Sequence, residues 1–383
     1  MLRRRRQAVR LAKVTVEGFR SIAKPLELVV DPTITVVLAA NDHGKTNLLE
    51  ALSHLNEDSP FTEAELNWDC SDQSDRLPAV QAVFNLSDAD RTTLVQSELK
   101  QRQLRVEAGE TQPSKRPGAP TELRIDLFGV GKALTTYIPA GFNRQYFWSY
   151  IKSLLPIVEL IQPQGLLADS VEASELEDNA HEFMRGIFYY AGIDALDCSD
   201  LFEQTDKTER RLDRASNRLN RTLRASWTQG SNLKFRLSHR GDAIELLLQD
   251  PAVNKQYVRA SRRSSGFTHF FALKTILYAR ERERPANSRI YLFDEPGTFL
   301  HPSGQKDLMR VLENIGQAQQ AIYTTHSIFM INRSYPTRHR LLLKDRQGTK
   351  IEQAIQRPLG YGVRRSRRLD GGRHPFCGPR AAV

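Results

Sequence analysis

No run of about 18 apolar residues occurs in this chain of 383, so no segment reads as a membrane-spanning helix. The start, Met1-Leu-Arg-Arg-Arg-Arg6, lacks the apolar stretch that follows the basic residues of a signal peptide. Cysteine is scarce. Cys70, Cys198 and Cys377 lie far apart without metal-ligand spacing, which excludes a disulfide framework or a thiolate metal site and fits free thiols in a reducing cytoplasm. Internal repeats are absent. Acid is outnumbered by base, 45 to 55, and the net charge of +10 favours polyanionic partners. Much of the excess sits at the ends, in Arg3–Arg6 and Arg364–Arg368, where such charge is usually a solvated tail. The apolar fraction of 40% and the charged fraction of 26% are those of a soluble globular protein with a sizeable core.

The apolar patterning predicts an α/β protein. Val14–Arg20 alternates as a strand ending in a turn, and Leu26–Val30 reads as a second strand. Ile34–Leu38 is a continuous β-branched run, hence a buried strand, and it leads into Ala39-Ala-Asn-Asp-His-Gly44-Lys45-Thr46. Leu48, Leu49, Leu52 and Leu55 then recur at helical spacing. Residues 56–78 read as loop, Ala79–Leu86 as a strand, Arg91–Gln103 as a polar helix capped by Ser87–Asp90, and Leu123–Phe128 with Leu134–Ile138 as a hairpin. Pro156–Ile161 is another strand. From about Ser174 to Gln229 the chain turns helical and charged, with Leu212, Leu219 and Leu223 on one stripe and arginines over the rest. A solvated amphipathic helix is the favoured reading there over a DNA-contacting arm. Phe235–Leu237 and Ile244–Leu248 flank Gly241-Asp242 as a hairpin. A helix from Phe267 to about Arg284, the strand Ile290–Phe293, a helix from Gln305 to about Ile315, a strand Ala321–Thr324 and a hairpin of Arg340–Lys344 with Ile351–Ala354 complete the order.

Four motifs carry chemistry. Gly44-Lys45-Thr46, between a buried strand and a helix, has the context of a phosphate-binding turn. Backbone N–H groups around Gly44 would face a phosphate, Lys45 would reach the β/γ oxygens and Thr46 would bind Mg²⁺. The motif expects glycine five residues before Gly44, and Ala39 stands there. Either the turn tolerates an L-residue at that point, or nucleotide binding is weakened. Downstream, four apolar residues deliver Asp294-Glu295-Pro296. Asp294 is placed to hold Mg²⁺ and Glu295 to orient and deprotonate a water. His326, after Thr324-Thr325, is placed to hydrogen-bond a γ-phosphate. Ser264-Ser265-Gly266 opens a helix about 30 residues before Asp294 and offers a second anion site.

Together, Val16-Glu-Gly-Phe-Arg20-Ser, Ala40-Asn41-Asp42-His-Gly44-Lys45-Thr46-Asn47-Leu-Leu-Glu50-Ala, Arg263-Ser-Ser-Gly-Phe267, Asp294-Glu-Pro-Gly-Thr-Phe-Leu-His301-Pro302 and Thr325-His-Ser327 resemble the RecF/SMC-like branch of the ATP-binding-cassette (ABC) ATPases. The match is closest to the ATPase half of the overcoming-lysogenization-defect (OLD) ATP-dependent nucleases. It spans roughly Val14 to Thr349 and is looser in the middle. The resemblance implies an ABC-type P-loop head over residues 10–355, with a helical insertion at about 165–230. It implies ATP and Mg²⁺ as cofactors. Asn41, Asp42, Gly44, Lys45, Thr46 and Asn47 would bind nucleotide, and Thr46 and Asp294 the metal. Lys45, Glu295 and His326 would be catalytic, Gly297–Leu300 would be the D-loop, and Ser264, Ser265 and Gly266 would be the signature that meets the partner subunit's nucleotide. A homodimer closing over two nucleotides, DNA as a partner in repair or phage defence, and a separate nuclease follow as expectations. Gln162 and Gln164 are candidates for the family's Q-loop by position only.

The nuclease half of that family is a metal-binding domain that would follow the ATPase half. After Thr349 only 34 residues remain, whose acids are Glu352 and Asp370, so nuclease activity from this chain is not expected. Residues 356–383 read as a disordered basic tail or a truncated end, with a genuine DNA-binding tail left open. The rival readings are a full ATP-dependent endonuclease, a module that binds ATP without hydrolysing it, and a transporter ATPase. The roughly 220 residues between the phosphate loop and the signature argue against the last, because transporter heads are compact.

Overall fold

In the computed structural model, the described residues are 9–352 except 57, 108–116, 119, 162–167, 179–180, 225–232, 253–255, 284–287 and 346–347. Cys377, both arginine-rich ends, the tail at 356–383 and the Q-loop candidates Gln162 and Gln164 fall outside them. Among the described residues, no helix is long and apolar enough to cross a membrane.

The centre is a six-stranded sheet. It contains β3 (Ile34–Leu38), β7 (Ile157–Ile161), β12 (Arg289–Phe293), β13 (Gln320–Thr325), β14 (His339–Asp345) and β15 (Gly348–Glu352), in the order β15-β14-β3-β13-β12-β7. All neighbours are parallel except the hairpin β14-β15. The apolar runs of β3, β12 and β13 are continuous because both faces are covered. Val37, Ile290, Leu292 and Ile322 face one core with α1 (Lys45–Ser53). Ile34, Val36, Tyr291, Phe293, Ala321 and Tyr323 face the other, with α6 (Ser265–Glu283) and α7 (Pro302–Ala318).

The first core also receives a five-stranded antiparallel sheet, β2-β1-β4-β5-β6. Its strands are β1 (Arg10–Glu17), β2 (Leu26–Val29), β4 (Ala79–Asn85), β5 (Glu122–Phe128) and β6 (Thr135–Thr136). Beside it lie α2 (Asp88–Glu107) and α3 (Arg144–Leu154). The segment 56–78, read as loop, holds two short 3₁₀ turns, Glu63–Glu65 and Trp68–Gln73.

The segment expected as a helical insertion holds α4 (Glu182–Ala191) and α5 (Asp206–Arg224). It also contains β8 (Ser170–Glu172), which pairs with β10 (Ala243–Gln249). That strand is flanked in turn by β9 (Lys234–Arg240) and β11 (Val258–Arg259). The unit is therefore a small sheet with two helices, and it shares a core with α6 through Phe267, Phe271 and Ile276. Its stripe of Leu212, Leu219 and Leu223 is buried in that core. Close packing marks the junction: a Cβ on Gly186 of α4 would lie 2.3 Å from the Thr275 carbonyl of α6. Ion pairs also tie the unit down. Arg280 of α6 bridges Glu182 of α4 at 2.6 Å and Glu159 of β7 at 2.9 Å, and Arg185 of α4 meets Glu283 of α6 at 2.8 Å.

Candidate functional site

The sheet register collects the motifs at one edge. Leu38 pairs with Thr325, and Phe293 pairs with both Tyr323 and Ile161, so β3, β13, β12 and β7 end side by side. In a parallel sheet the carboxyl ends of the strands form the crevice where ligands sit. The phosphate-loop segment leaves β3 at that edge, Asp294-Glu295 leaves β12, and His326 leaves β13, although 248 residues separate Thr46 from Asp294.

Positive φ in the phosphate loop falls on Asp42 (61°) and Gly44 (86°); Ala39 is not among the residues with positive φ. Ala39 is buried, and its N–H donates to the Thr325 carbonyl at 3.3 Å. The missing glycine therefore costs the turn nothing, and of the two alternatives for Ala39 the turn that tolerates an L-residue is the one present. Gly44 caps the N-terminus of α1. A Cβ there would lie 3.0 Å from both Ser21 Oγ and Thr349 Oγ1, so the position needs glycine for conformation and for space. Asn47 donates from its side-chain amide to Ser21 Oγ at 2.7 Å, which places it beneath the loop, while Asn41 and Asp42 are exposed on it.

Lys45 is buried and curls back over its loop. Its ammonium donates to the carbonyls of Ala39 (3.1 Å) and Ala40 (3.0 Å) and meets Glu295 Oε1 at 2.5 Å. The second Glu295 oxygen accepts from the Thr298 hydroxyl at 3.0 Å and lies 2.9 Å from His326 Nδ1. Burial pushes the Glu295 carboxyl up. Hydrogen bonds from Lys45 and His326, the Lys45 charge and the Thr298 hydroxyl outweigh that and hold it below its ordinary value. The Glu295 backbone sits at φ 44°, a conformation that L-residues rarely adopt, and its N–H is fixed by Thr324 Oγ1 at 2.9 Å. Asp294 accepts from Thr46 Oγ1 at 2.5 Å and from Thr324 Oγ1 at 2.6 Å. Thr324, which sequence reasoning left out, thus orients both acids. Its signal was its place in the Thr-Thr-His run at the end of a buried strand.

Thr46 and Asp294 present hard oxygens of the kind that suits Mg²⁺. Among the described residues no group of three or more His, Cys, Asp or Glu could hold a metal ion; Thr46 and Asp294, which touch, are the residues that would contribute oxygens to one.

Ser264 and Ser265 are exposed at the start of α6, and no hydrogen bond to either hydroxyl is found among the described residues. Among the described residues no hydrogen bond joins their side chains to the phosphate loop. Gly266 instead faces the segment Gly297–Leu300: a Cβ there would lie 2.5 Å from the Phe299 carbonyl. His269, one turn further on, is buried edge-to-face against Phe299 at 5.5 Å. Burial pushes its imidazole down in pKa, opposed by a hydrogen bond to the Pro296 carbonyl.

Sheet order and the phosphate turn give a mixed α/β fold, sheets flanked by helices, similar to that of ABC-type P-loop ATPase heads. The chain belongs to the family described as "AAA domain, putative AbiEii toxin, Type IV TA system", matched over residues 34–332. The described fold is similar to the Smc head bound to the C-terminal winged-helix domain of ScpA. That match has a TM-score of 0.50 and 14% identity, and covers 91% of this chain and 98% of that one. The Smc head with an extended coiled coil from Pyrococcus furiosus matches at a TM-score of 0.48 and 15% identity, over 90% and 96% of the two chains. A stretch of 158 residues is 28% identical to "Uncharacterized protein MJECL43" of Methanocaldococcus jannaschii, covering 39% of this chain. The chain spans 40% of the length of that curated relative.

Proposed function

We propose that this chain hydrolyses ATP with Mg²⁺, as one of two identical heads that close over two nucleotides, and that it acts on DNA. The observation that carries the ATPase reading is the constellation of Lys45, Thr46, Asp294 and Glu295 within direct hydrogen-bonding distance. Lys45 is held by Glu295 until a nucleotide takes it. Phosphate oxygens draw the ammonium away and β/γ binding begins. Glu295 then loses the partner that most depresses it, while its burial remains, so it becomes a better proton acceptor for an attacking water. Mg²⁺, held by Thr46 and Asp294, would neutralise charge on the transferring phosphoryl group. His326 would donate to the γ-phosphate, and the exposed hydroxyls of Ser264 and Ser265 would meet the nucleotide of the second copy.

The DNA part rests on charge. Arg210, Arg214, Arg218 and Arg221 are exposed on α5, and none has an acidic partner among the described residues. Arg218 also lies against Gly192 at the C-terminal end of α4, where helix carbonyls attract a cation. Within this reading, the chain would serve as the OLD-like ATPase part of a repair or phage-defence system in the cytoplasm, with a separate nuclease. Release of phosphate from Mg-ATP by the full chain, with and without duplex DNA, tests it. Turnover that requires Mg²⁺ and Lys45 supports it, and no nucleotide binding at all sinks it.

A further inference from the structure

Gln305 lies in the first turn of α7, buried, and takes no part in the chemistry above. Its side chain bonds in two directions. Nε2 donates to the Gly297 carbonyl at 2.9 Å, and Oε1 accepts from the Ser327 hydroxyl at 2.7 Å. Gly297 follows Glu295 by two residues, and Ser327 follows His326 directly. Because Glu295 and His326 touch at 2.9 Å, the four residues and Gln305 close a ring: Glu295, His326, Ser327, Gln305, Gly297 and back along the chain.

Both arms are held firmly at their far ends. Ser327 N–H donates to Thr325 Oγ1 at 3.0 Å, and Ser327 Oγ accepts from Phe329 N–H at 3.2 Å. A Cβ on Gly297 would lie 3.1 Å from Met330 Sδ and 3.5 Å from Gln305 Cγ, so Gly297 packs closely against both side chains. Beyond Gly297 the chain runs through Thr298, which bonds Glu295, to Phe299, whose carbonyl touches Gly266 of the signature helix. An amide is suited to this post. One end only donates and the other only accepts, matching a carbonyl on one side and a hydroxyl on the other.

We infer that Gln305 is a positioning residue that couples the γ-phosphate response of His326 to the segment Gly297–Leu300 and so to the surface of Ser264–Gly266. When His326 turns from Glu295 to a γ-phosphate, Ser327 moves with it, and Gln305 passes the shift to the Gly297 carbonyl. Coupling is reciprocal, so a second head pressing on Phe299 biases His326 and Glu295 through the same amide. This inference rests on the proposed ATPase reading.

The test uses the full chain with Mg²⁺ and the non-hydrolysable analogue AMP-PNP, read by amide hydrogen exchange. In the wild type, AMP-PNP slows exchange both at Lys45–Asn47 and at Thr298 and Leu300, whose N–H groups bond Glu295 and Gly297 carbonyls. In Gln305→Leu the first response persists and the second is lost. Analogue affinity stays within about threefold while ATP turnover falls about tenfold or more. Ser327→Ala, on a partly exposed loop, breaks the other arm and gives the same pattern if Gln305→Leu fails to fold. The double variant Gln305→Leu/Ser327→Ala loses no more than either single, because one path is cut twice; a merely structural role gives additive losses and overturns the inference. A persisting response at Thr298 and Leu300 in the variants overturns the coupling alone. No protection of Lys45–Asn47 in the wild type overturns the ATPase reading as well.

Discussion

The Lys45 ammonium and the Glu295 carboxylate meet at 2.5 Å, from opposite sides of the strand β13. The side chain proposed to bind phosphate is thus held by the side chain proposed to activate water. In the proposed reaction a nucleotide would separate them before either acts.

Lys45→Ala removes the charge that would meet the β/γ-phosphates. Charge-assisted hydrogen bonds are each worth about 1.5–3 kcal/mol, so ATP affinity should fall roughly 10- to 100-fold. Calorimetric titration of the variant checks this, and unchanged affinity would refute the role.

Glu295 also sets an acid limb of stability. Its folded pKa lies below the ordinary 4.5, so the group contributes stability that is present above that value and lost as pH falls through the folded one. Glu295→Gln removes this titration. Melting temperatures taken from about pH 7 down to about pH 3 should fall less steeply for the variant. Parallel curves for the two proteins would show that the Lys45 and His326 contacts do not persist in solution.

Strands and motifs were legible where local pattern decides structure. Ile34–Leu38 was read with its observed bounds, because an apolar β-branched run is what a strand covered on both faces requires. The leucine spacing after Gly44 and the hairpin around Gly241 were equally local. What stayed hidden depends on distant partners. Gln305 reads as an ordinary helical glutamine until β13 brings Ser327 beside it. β8 and β11 are too short for a period to show, and they exist because β10 pairs with them. α3 has a local pattern of its own: Asn143 caps it, and Phe147, Tyr150, Ile151 and Leu154 recur at helical spacing and pack on the first core. At Ala39 the sequence pattern raised a doubt that only the backbone could answer, since positive φ falls on Asp42 and Gly44 instead.

DNA binding through α5 should be electrostatic. Each phosphate contact contributes about 0.9 to the slope of log affinity against log salt. Replacing Arg210, Arg214 and Arg221 with Gln should lower that slope by roughly 3 and leave sequence preference unchanged. Titration of labelled duplex at several salt concentrations decides. An unchanged slope assigns the arginines to a solvated face, and no binding at low salt removes DNA as the partner.

A dimer should appear when nucleotide is bound and not turned over. Light scattering of Glu295→Gln with Mg-ATP should give twice the monomer mass, and with Mg-ADP the monomer mass. A monomer at all concentrations in Mg-ATP would contradict closure of two heads.

The most direct measurement takes bound ATP and released phosphate from one sample, for the wild type and for Glu295→Gln. The amide cannot accept the water's proton, and loss of a general base typically costs about 10²- to 10⁴-fold. The account predicts that the variant retains bound ATP while phosphate release falls by that factor. Equal release by both proteins would contradict the role given to Glu295, and with it the central claim that Lys45 and Glu295 form an ATP-hydrolysing site.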